Sequence, residues 1–358
     1  MENYDKKFNG ENFYTGIDVH KTSWRVTVLN EELLLRSFSQ DPDPAILVST
    51  LQKEFPGGSF HLVYEAGFCG FEPCRYFLEA GMDAIVVNPL DVPTSGKQTV
   101  QKTDKVDSKK LAEALRARML CGIDIPTRKL EADCDLVKQR QRFSKSMRAV
   151  KNRIKSLLMK LSISIPEEIS DSSSKNWGKQ YVEWLKDLSF PQKSHRLILD
   201  SYMEDTEHLK SKIAKVEKQL RELAKTPDYS CKMEILQSVP GFGFITSINL
   251  CLHLGDINRF STLDMLCNYV GLAPTMHSSG EKNRVGSLTK RGRSQLREYL
   301  VEAAWIAVKT DPALLKKHQG LCKRMDKNKA IIRIAKSLLN RARHLLKNGE
   351  MYQLSVYP

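Results

Sequence analysis

The chain has 358 residues, 27% of them charged and 41% hydrophobic, with a formal net charge of +14. That length calls for two or three domains, and no run approaches the eighteen apolar residues of a membrane span. The eight cysteines (69, 74, 121, 134, 231, 251, 267 and 322) contain no C-x-x-C pair, which excludes a zinc ribbon or a small disulfide scaffold and suits reduced thiols.

Met1 to Lys7 lacks the apolar core of a signal peptide. Residues 13–19 and 24–29 are apolar, rich in β-branched and aromatic side chains, and joined by His20-Lys21-Thr22-Ser23; they predict a hairpin. Leu33 to Arg36 adds a third strand. Asp43 to Phe55 has helical spacing, Phe60 to Tyr64 predicts a strand ending at Glu65, Phe71 to Glu79 a helix, and Ala84 to Val87 a strand ending at Asn88-Pro89. This order predicts an α/β layered domain. The polar residues 90–103 predict a loop before a helix that starts near Asp104.

Two long amphipathic stretches follow, 131–165 and about 202–224, separated by Pro166 and the serine-rich 170–174. They predict a helical hairpin or coiled coil. From Ile235 the pattern is helix, Pro-Gly-x-Gly turn, helix, which resembles a helix-hairpin-helix element with amides turned to a phosphate. Leu266 to Val270 is a helical run ending at Gly271, Thr275 to Gly292 is polar and glycine-bearing, and helices are expected over Ser294 to Lys309 and about 328–347. From 282 to 347 there are 18 Lys plus Arg against 4 Asp plus Glu, an excess equal to that of the whole chain. So many cations in one stretch point to a nucleic-acid surface.

Four carboxylates stand where acids do little for packing. Asp18 and Glu65 end apolar strands, and Asp104 and Asp107 lie three residues apart on one helical face. Carboxylates meeting at strand ends supply the hard oxygens that Mg2+ or Mn2+ prefers, and such ions clamp a phosphoryl displacement. The bland reading makes Asp104 a helix cap and lets Lys21, Lys102 and Lys105 neutralise the acids. Within the polar segment, Ser279 has Gly280 beside it, with Arg284, Lys290 and Arg291 close by and Ser278 adjacent. His277 is a candidate base, although no histidine–aspartate pair accompanies it.

Taken together, G-I-D-V-H-K, Y-E-A-G, N-P and K-T-D-K-x-D-x-x-x-L-A resemble the DEDD domain of transposases of the insertion-sequence one-ten type. V-P-G-F-G, G-L-A-P, H-S-S-G and K-R-G-x-x-x-L-R resemble the second domain of that family. The resemblance implies an α/β plus α chain in three parts. These are an RNase H-like (RuvC-like) metal-binding domain over 10–125, a helical coiled-coil domain over 126–230 and a mainly helical C-terminal transposase domain over 231–350. It implies metal coordination by Asp18, Glu65, Asp104 and Asp107, and makes Ser279 the nucleophile of an RNA-guided recombinase that exchanges DNA strands. It further implies a site composed from two protomers, donor and target DNA, a structured non-coding guide RNA, a dimer that assembles to a tetramer on DNA, and a cytoplasmic, nucleoid-associated place in a prokaryote. Lys21, Lys102, Lys105, Arg284, Lys290, Arg291, Arg293 and Arg297 are the candidate nucleic-acid contacts. The alternative is a metal-dependent nuclease or junction resolvase that uses the four acids without a covalent serine step.

Overall fold

The computed structural model describes residues 7–93, 104–170, 177–279, 282–289 and 292–354. The chain divides into two compact units, Met1–Ile125 and Pro126–Pro358.

The first unit is built on β1 (Asn12–Val19), β2 (Trp24–Leu29), β3 (Leu34–Gln40), α1 (Pro44–Glu54), β4 (Ser59–Glu65), α2 (Glu72–Glu79), β5 (Asp83–Val87) and α3 (Asp104–Arg116). The five strands form one sheet in the order β3-β2-β1-β4-β5. The first three pair antiparallel, whereas β4 and β5 add in parallel. The sheet is therefore mixed, antiparallel at one side and parallel at the other. Strand alternation assigns its two faces. Phe13, Ile17, Val26, Val28, Leu62, Tyr64 and Val86 point one way into a core shared with Leu47, Leu51 and Phe77 of α1 and α2. Val63 and Val87 point the other way, against Leu111 of α3. Asp43 caps α1 by accepting the Ala45 amide at 2.8 Å.

The second unit is mostly helical. It comprises α4 (Arg128–Lys160), α5 (Glu167–Ser170), α6 (Lys179–Asp187), α7 (Lys193–Ala224), α8 (Ser230–Ser238), α9 (Phe244–Leu254), α10 (Leu263–Val270), the hairpin β6 (Pro274–Ser279) and β7 (Lys282–Leu288), α11 (Ser294–Thr310), α12 (Pro312–Cys322) and α13 (Lys327–Asn348). Helices α4 and α7 run antiparallel over about 50 Å, joined by Arg140 to Glu217 at 2.7 Å and, near one end, by Ile154 against Leu199. Helix α7 starts at Lys193, well before the expected 202, because Leu199 reaches the same small core as Tyr181 and Leu185 of α6. Helices α6 and α12 are short segments beside polar links, where the sequence shows no long apolar period. The polar stretch after Thr275 pairs as β6 and β7, from Pro274 opposite Leu288 to Ser279 opposite Lys282. Pro274–Ser279 and Lys282–Leu288 carry no apolar alternation in sequence, so that hairpin leaves no hydrophobic pattern to read. The helices α8 to α13 share one core through Leu236, Ile248, Leu266, Leu300, Leu314 and Leu338. Among the described residues, no helix is long and apolar enough to cross a membrane.

Candidate functional site

The acids take their places from strand pairing. The parallel register of β1 and β4 runs to Ile17 opposite Tyr64. Asp18 and Glu65 follow directly on these two, so their backbones lie about 4.8 Å apart on neighbouring strands. Both belong to the face opposite the Ile17 and Tyr64 core, the face that α3 covers.

Gly16 seats that helix. A Cβ there would meet the Ser108 carbonyl, and would come within 2.5 Å of the Ala112 nitrogen and 3.0 Å of the Leu111 Cβ. Thr27, opposite Gly16 on β2, shares a buried hydrogen bond with the Ser108 hydroxyl at 2.9 Å. At the far end, Arg116 donates to the Asn30 carbonyl at 3.2 Å, beyond the end of β2 and beside the start of β1. Helix α3 therefore runs antiparallel to β1. Its first turn, with Asp104 and Asp107, lies toward the end of β1 that carries Asp18. From Ser108 back to Asp104 is about 6 Å of helix, and from Gly16 on to Asp18 about 6.6 Å of strand. The two pairs of acids therefore fall at one level.

The neighbours of these acids are polar. Asp18 is 21% exposed, and its Oδ2 contacts His20 Nε2 at 3.2 Å. Arg25 stands opposite Asp18 in the β1–β2 register, and its guanidinium is held by Ser37 and Ser39 at 3.1 Å each. The loop after Glu65 is set by Tyr64, whose phenol donates to the Gly70 carbonyl at 2.9 Å and accepts from the Cys74 amide at 3.3 Å. Burial raises the Tyr64 phenol above its ordinary range and pushes the Cys74 thiol up to about 11. Neither is poised as a nucleophile.

Sequence reading named neither Arg25 nor the Gly16, Thr27 and Ser108 seat. The available signal was the alternation in Trp24-Arg-Val-Thr-Val, which puts Arg25 and Thr27 on the face of Asp18. Four carboxylates match the hard-oxygen preference of Mg2+ or Mn2+ in donor chemistry. Among the described residues, no three His, Cys, Asp or Glu side chains are gathered closely enough to hold an ion. The Asp104 side chain lies outside the described ones.

Of the candidate nucleic-acid contacts, Lys21 is exposed in the β1–β2 link. Lys102, Lys290 and Arg291 lie outside the described residues, as do the side chains of Lys105 and Arg284. Arg293 precedes α11, with Nε on the Tyr269 hydroxyl at 2.9 Å and its guanidinium over that ring. Arg297 donates to the Gly271 carbonyl at 3.1 Å. Ser279 ends β6 opposite Lys282, and Ser278 and His277 precede it; their side chains are outside the described ones.

Two family models match. One, described as Transposase IS116/IS110/IS902 family, covers residues 233–319, and a DEDD transposase model covers residues 15–163. The chain is 26% identical to the putative transposase y4qE of Sinorhizobium fredii, over 82% of this chain and 71% of that protein. It is 23% identical to the transposase for insertion sequence element IS1533 of Leptospira borgpetersenii, over 82% of this chain and 84% of that one. T. thermophilus RuvC in complex with Holliday junction substrate is similar over 30% of this chain and 95% of its own, with 17% identity and a TM-score of 0.24. The DEDD match corrects the expected covalent chemistry. It supports metal-dependent breakage and joining of DNA by acidic residues, so neither Ser279 as nucleophile nor a serine recombinase is retained.

Proposed function

The chain belongs to the IS110 type of transposases, and from that premise we propose that it breaks and joins DNA by metal-dependent phosphoryl transfer at Asp18, Glu65, Asp104 and Asp107. The observation that carries this reading is the parallel register that sets Asp18 beside Glu65, with the first turn of α3 at the same level. When bound, Mg2+ or Mn2+ would offset charge on the attacking and leaving oxygens of the phosphate. The chain's own groups hold and orient. Asp18 and Glu65 present carboxylates from adjacent strand ends, Asp104 and Asp107 add two from the helix, and His20 constrains Asp18 through its 3.2 Å contact. Arg25 keeps a positive charge on the same sheet face.

We read 10–125 as the catalytic domain, 126–230 as the helical arm and 231–350 as the C-terminal transposase domain. The α8–turn–α9 element is read as a helix-hairpin-helix that meets a phosphate backbone. Gly241 at its turn has φ of +82°, and a cleft of about 780 Å³ beside it is lined in part by Arg221 and Lys225. Donor and target DNA, a structured guide RNA and a dimer-to-tetramer assembly complete the reading.

The test is strand cleavage of labelled element-end DNA by purified protein in Mg2+, in Mn2+ and in EDTA, with and without RNA from the element's flank. Cleavage is expected only with metal and is expected to be lost in Asp18→Asn and Glu65→Gln. Cleavage in EDTA, or unchanged cleavage by both variants, refutes the acid site. Light scattering with and without DNA and RNA tests the assembly.

A further inference from the structure

The fold itself uses many of the cations between residues 282 and 347. Arg297 holds the Gly271 carbonyl, Arg343 the Ser261 carbonyl at 2.7 Å, Lys336 pairs with Asp264 at 3.0 Å, and Arg341 with Asp311 at 3.0 Å. The turn between α12 and α13 differs. Lys323, Arg324, Lys327, Lys329 and Arg333 are all exposed, and their side chains make no ion pair or hydrogen bond with any described residue. The one acid among them, Asp326, is engaged as the α13 cap and accepts the Asn328 amide at 2.8 Å.

These charges work against the local structure. Lys327 and Lys329 occupy the first turn of α13, where the helix end favours anions, and that turn holds no acid. Lys329 and Arg333 form a like-charge pair at i,i+4, which disfavours a helix. The apolar face of α13 is supplied by Ala330, Ile331, Ile334, Ala335 and Leu338, so the cations add nothing to packing. Five exposed cations against one capping carboxylate, with no further partner among the described residues, mark a surface built for something outside the fold.

We infer that the α12–α13 turn docks on the sugar-phosphate backbone of duplex DNA. Lys327 to Arg333 spans about 9 Å of helix, and Lys323 and Arg324 widen the patch from the end of α12. Duplex is favoured over unpaired nucleic acid by composition. No Phe, Tyr or Trp occurs between Trp305 and Tyr352, whereas single-strand sites interleave cations with stacking aromatics. Exposed lysines without base-reading partners position a backbone and read no sequence. The turn lies beyond residues 233–319, which the C-terminal family model matches. The inference rests on the family's action on DNA and is independent of how the acids work.

The test is binding to fluorescent duplex DNA by anisotropy across a salt series in EDTA, where no metal-dependent cutting intervenes. The variant carries Lys323→Gln, Arg324→Gln, Lys327→Gln and Lys329→Gln. Its log-affinity against log-salt slope is expected to become shallower by about 3 to 4, near 0.9 for each phosphate the protein no longer neutralises. The charge-matched control carries Lys186→Gln, Lys193→Gln, Lys215→Gln and Lys218→Gln on α6 and α7, and is expected to keep a steeper slope. An unchanged slope in the turn variant, or an equal drop in the control, overturns the inference. So does a larger loss on structured RNA than on duplex DNA. If the fourfold variant melts early, Lys323→Gln with Lys329→Gln is measured instead, with an expected drop of about 2.

Discussion

Replacing Gly16 with alanine tests how the candidate site is assembled. The new Cβ would lie 2.5 Å from the Ala112 nitrogen and closer still to the Ser108 carbonyl, where ordinary contacts begin at 3.4 Å. Both obstacles are backbone atoms of α3 and cannot rotate away, so the helix must retreat by about 1 Å. Overpacking of this kind costs about 3 kcal/mol, the upper end of its usual range. Spread over a unit of this size, that lowers its unfolding transition by about 10 °C. The Thr27–Ser108 hydrogen bond stretches with the helix, and Asp104 and Asp107 move relative to Asp18. A misplacement of about 1 Å at reacting groups costs on the order of 100-fold in rate. Calorimetry and single-turnover DNA cleavage by Gly16→Ala read the two effects separately. Wild-type melting would show that α3 does not rest on Gly16. Early melting with wild-type cleavage, measured well below the transition, would show that the position of α3 does not matter to the chemistry, and would remove Asp104 and Asp107 from the site.

Further outcomes follow from individual side chains. Asp18→Asn and Glu65→Gln are expected to lower metal-dependent cleavage by at least about 100-fold while circular dichroism stays native, since both lie at strand ends outside the apolar core. Burial, with Arg293 and Lys138 nearby, lowers the His253 imidazole to about 3. The unfolded chain, with an ordinary histidine near 6.5, then binds more protons below that pH. Stability is fully present above about 6.5 and falls toward 3, by about 2 kcal/mol between pH 7 and 5. Denaturant melts at the two pH values should show this loss, and His253→Gln should flatten it. Gly320 lies within α12, and a Cβ there meets nothing within 4 Å. Gly320→Ala should therefore stabilise the second unit by about 0.5 to 1 kcal/mol, read as a higher denaturant midpoint.

The cation excess between 282 and 347 is visible in the sequence, but Arg293 and Arg297, which flank a glycine-rich segment, turn out to hold Tyr269 and Gly271. For the five exposed cations at the α12–α13 turn, the like-charge spacing of Lys329 and Arg333 is visible in the sequence, but their lack of a partner among the described residues is not. Whether a lysine is engaged depends on a partner far along the chain, as Lys336 and Asp264 illustrate. The covalent role expected of Ser279 came from a resemblance in short motifs. The match that spans the acids supports a different chemistry.

Local pattern by itself determined the strands and helices of the first unit, because alternation and helical spacing each leave a period in the apolar residues. It also placed acids at the ends of β1 and β4 and at the start of α3. Only the tertiary structure decided that β4 enters the sheet beside β1 in parallel, and that α3 crosses Gly16 in the direction that levels Asp104 and Asp107 with Asp18. Those are long-range choices. They depend on a missing Cβ at Gly16 and a buried hydroxyl pair between Thr27 and Ser108, contacts that no local window of sequence contains.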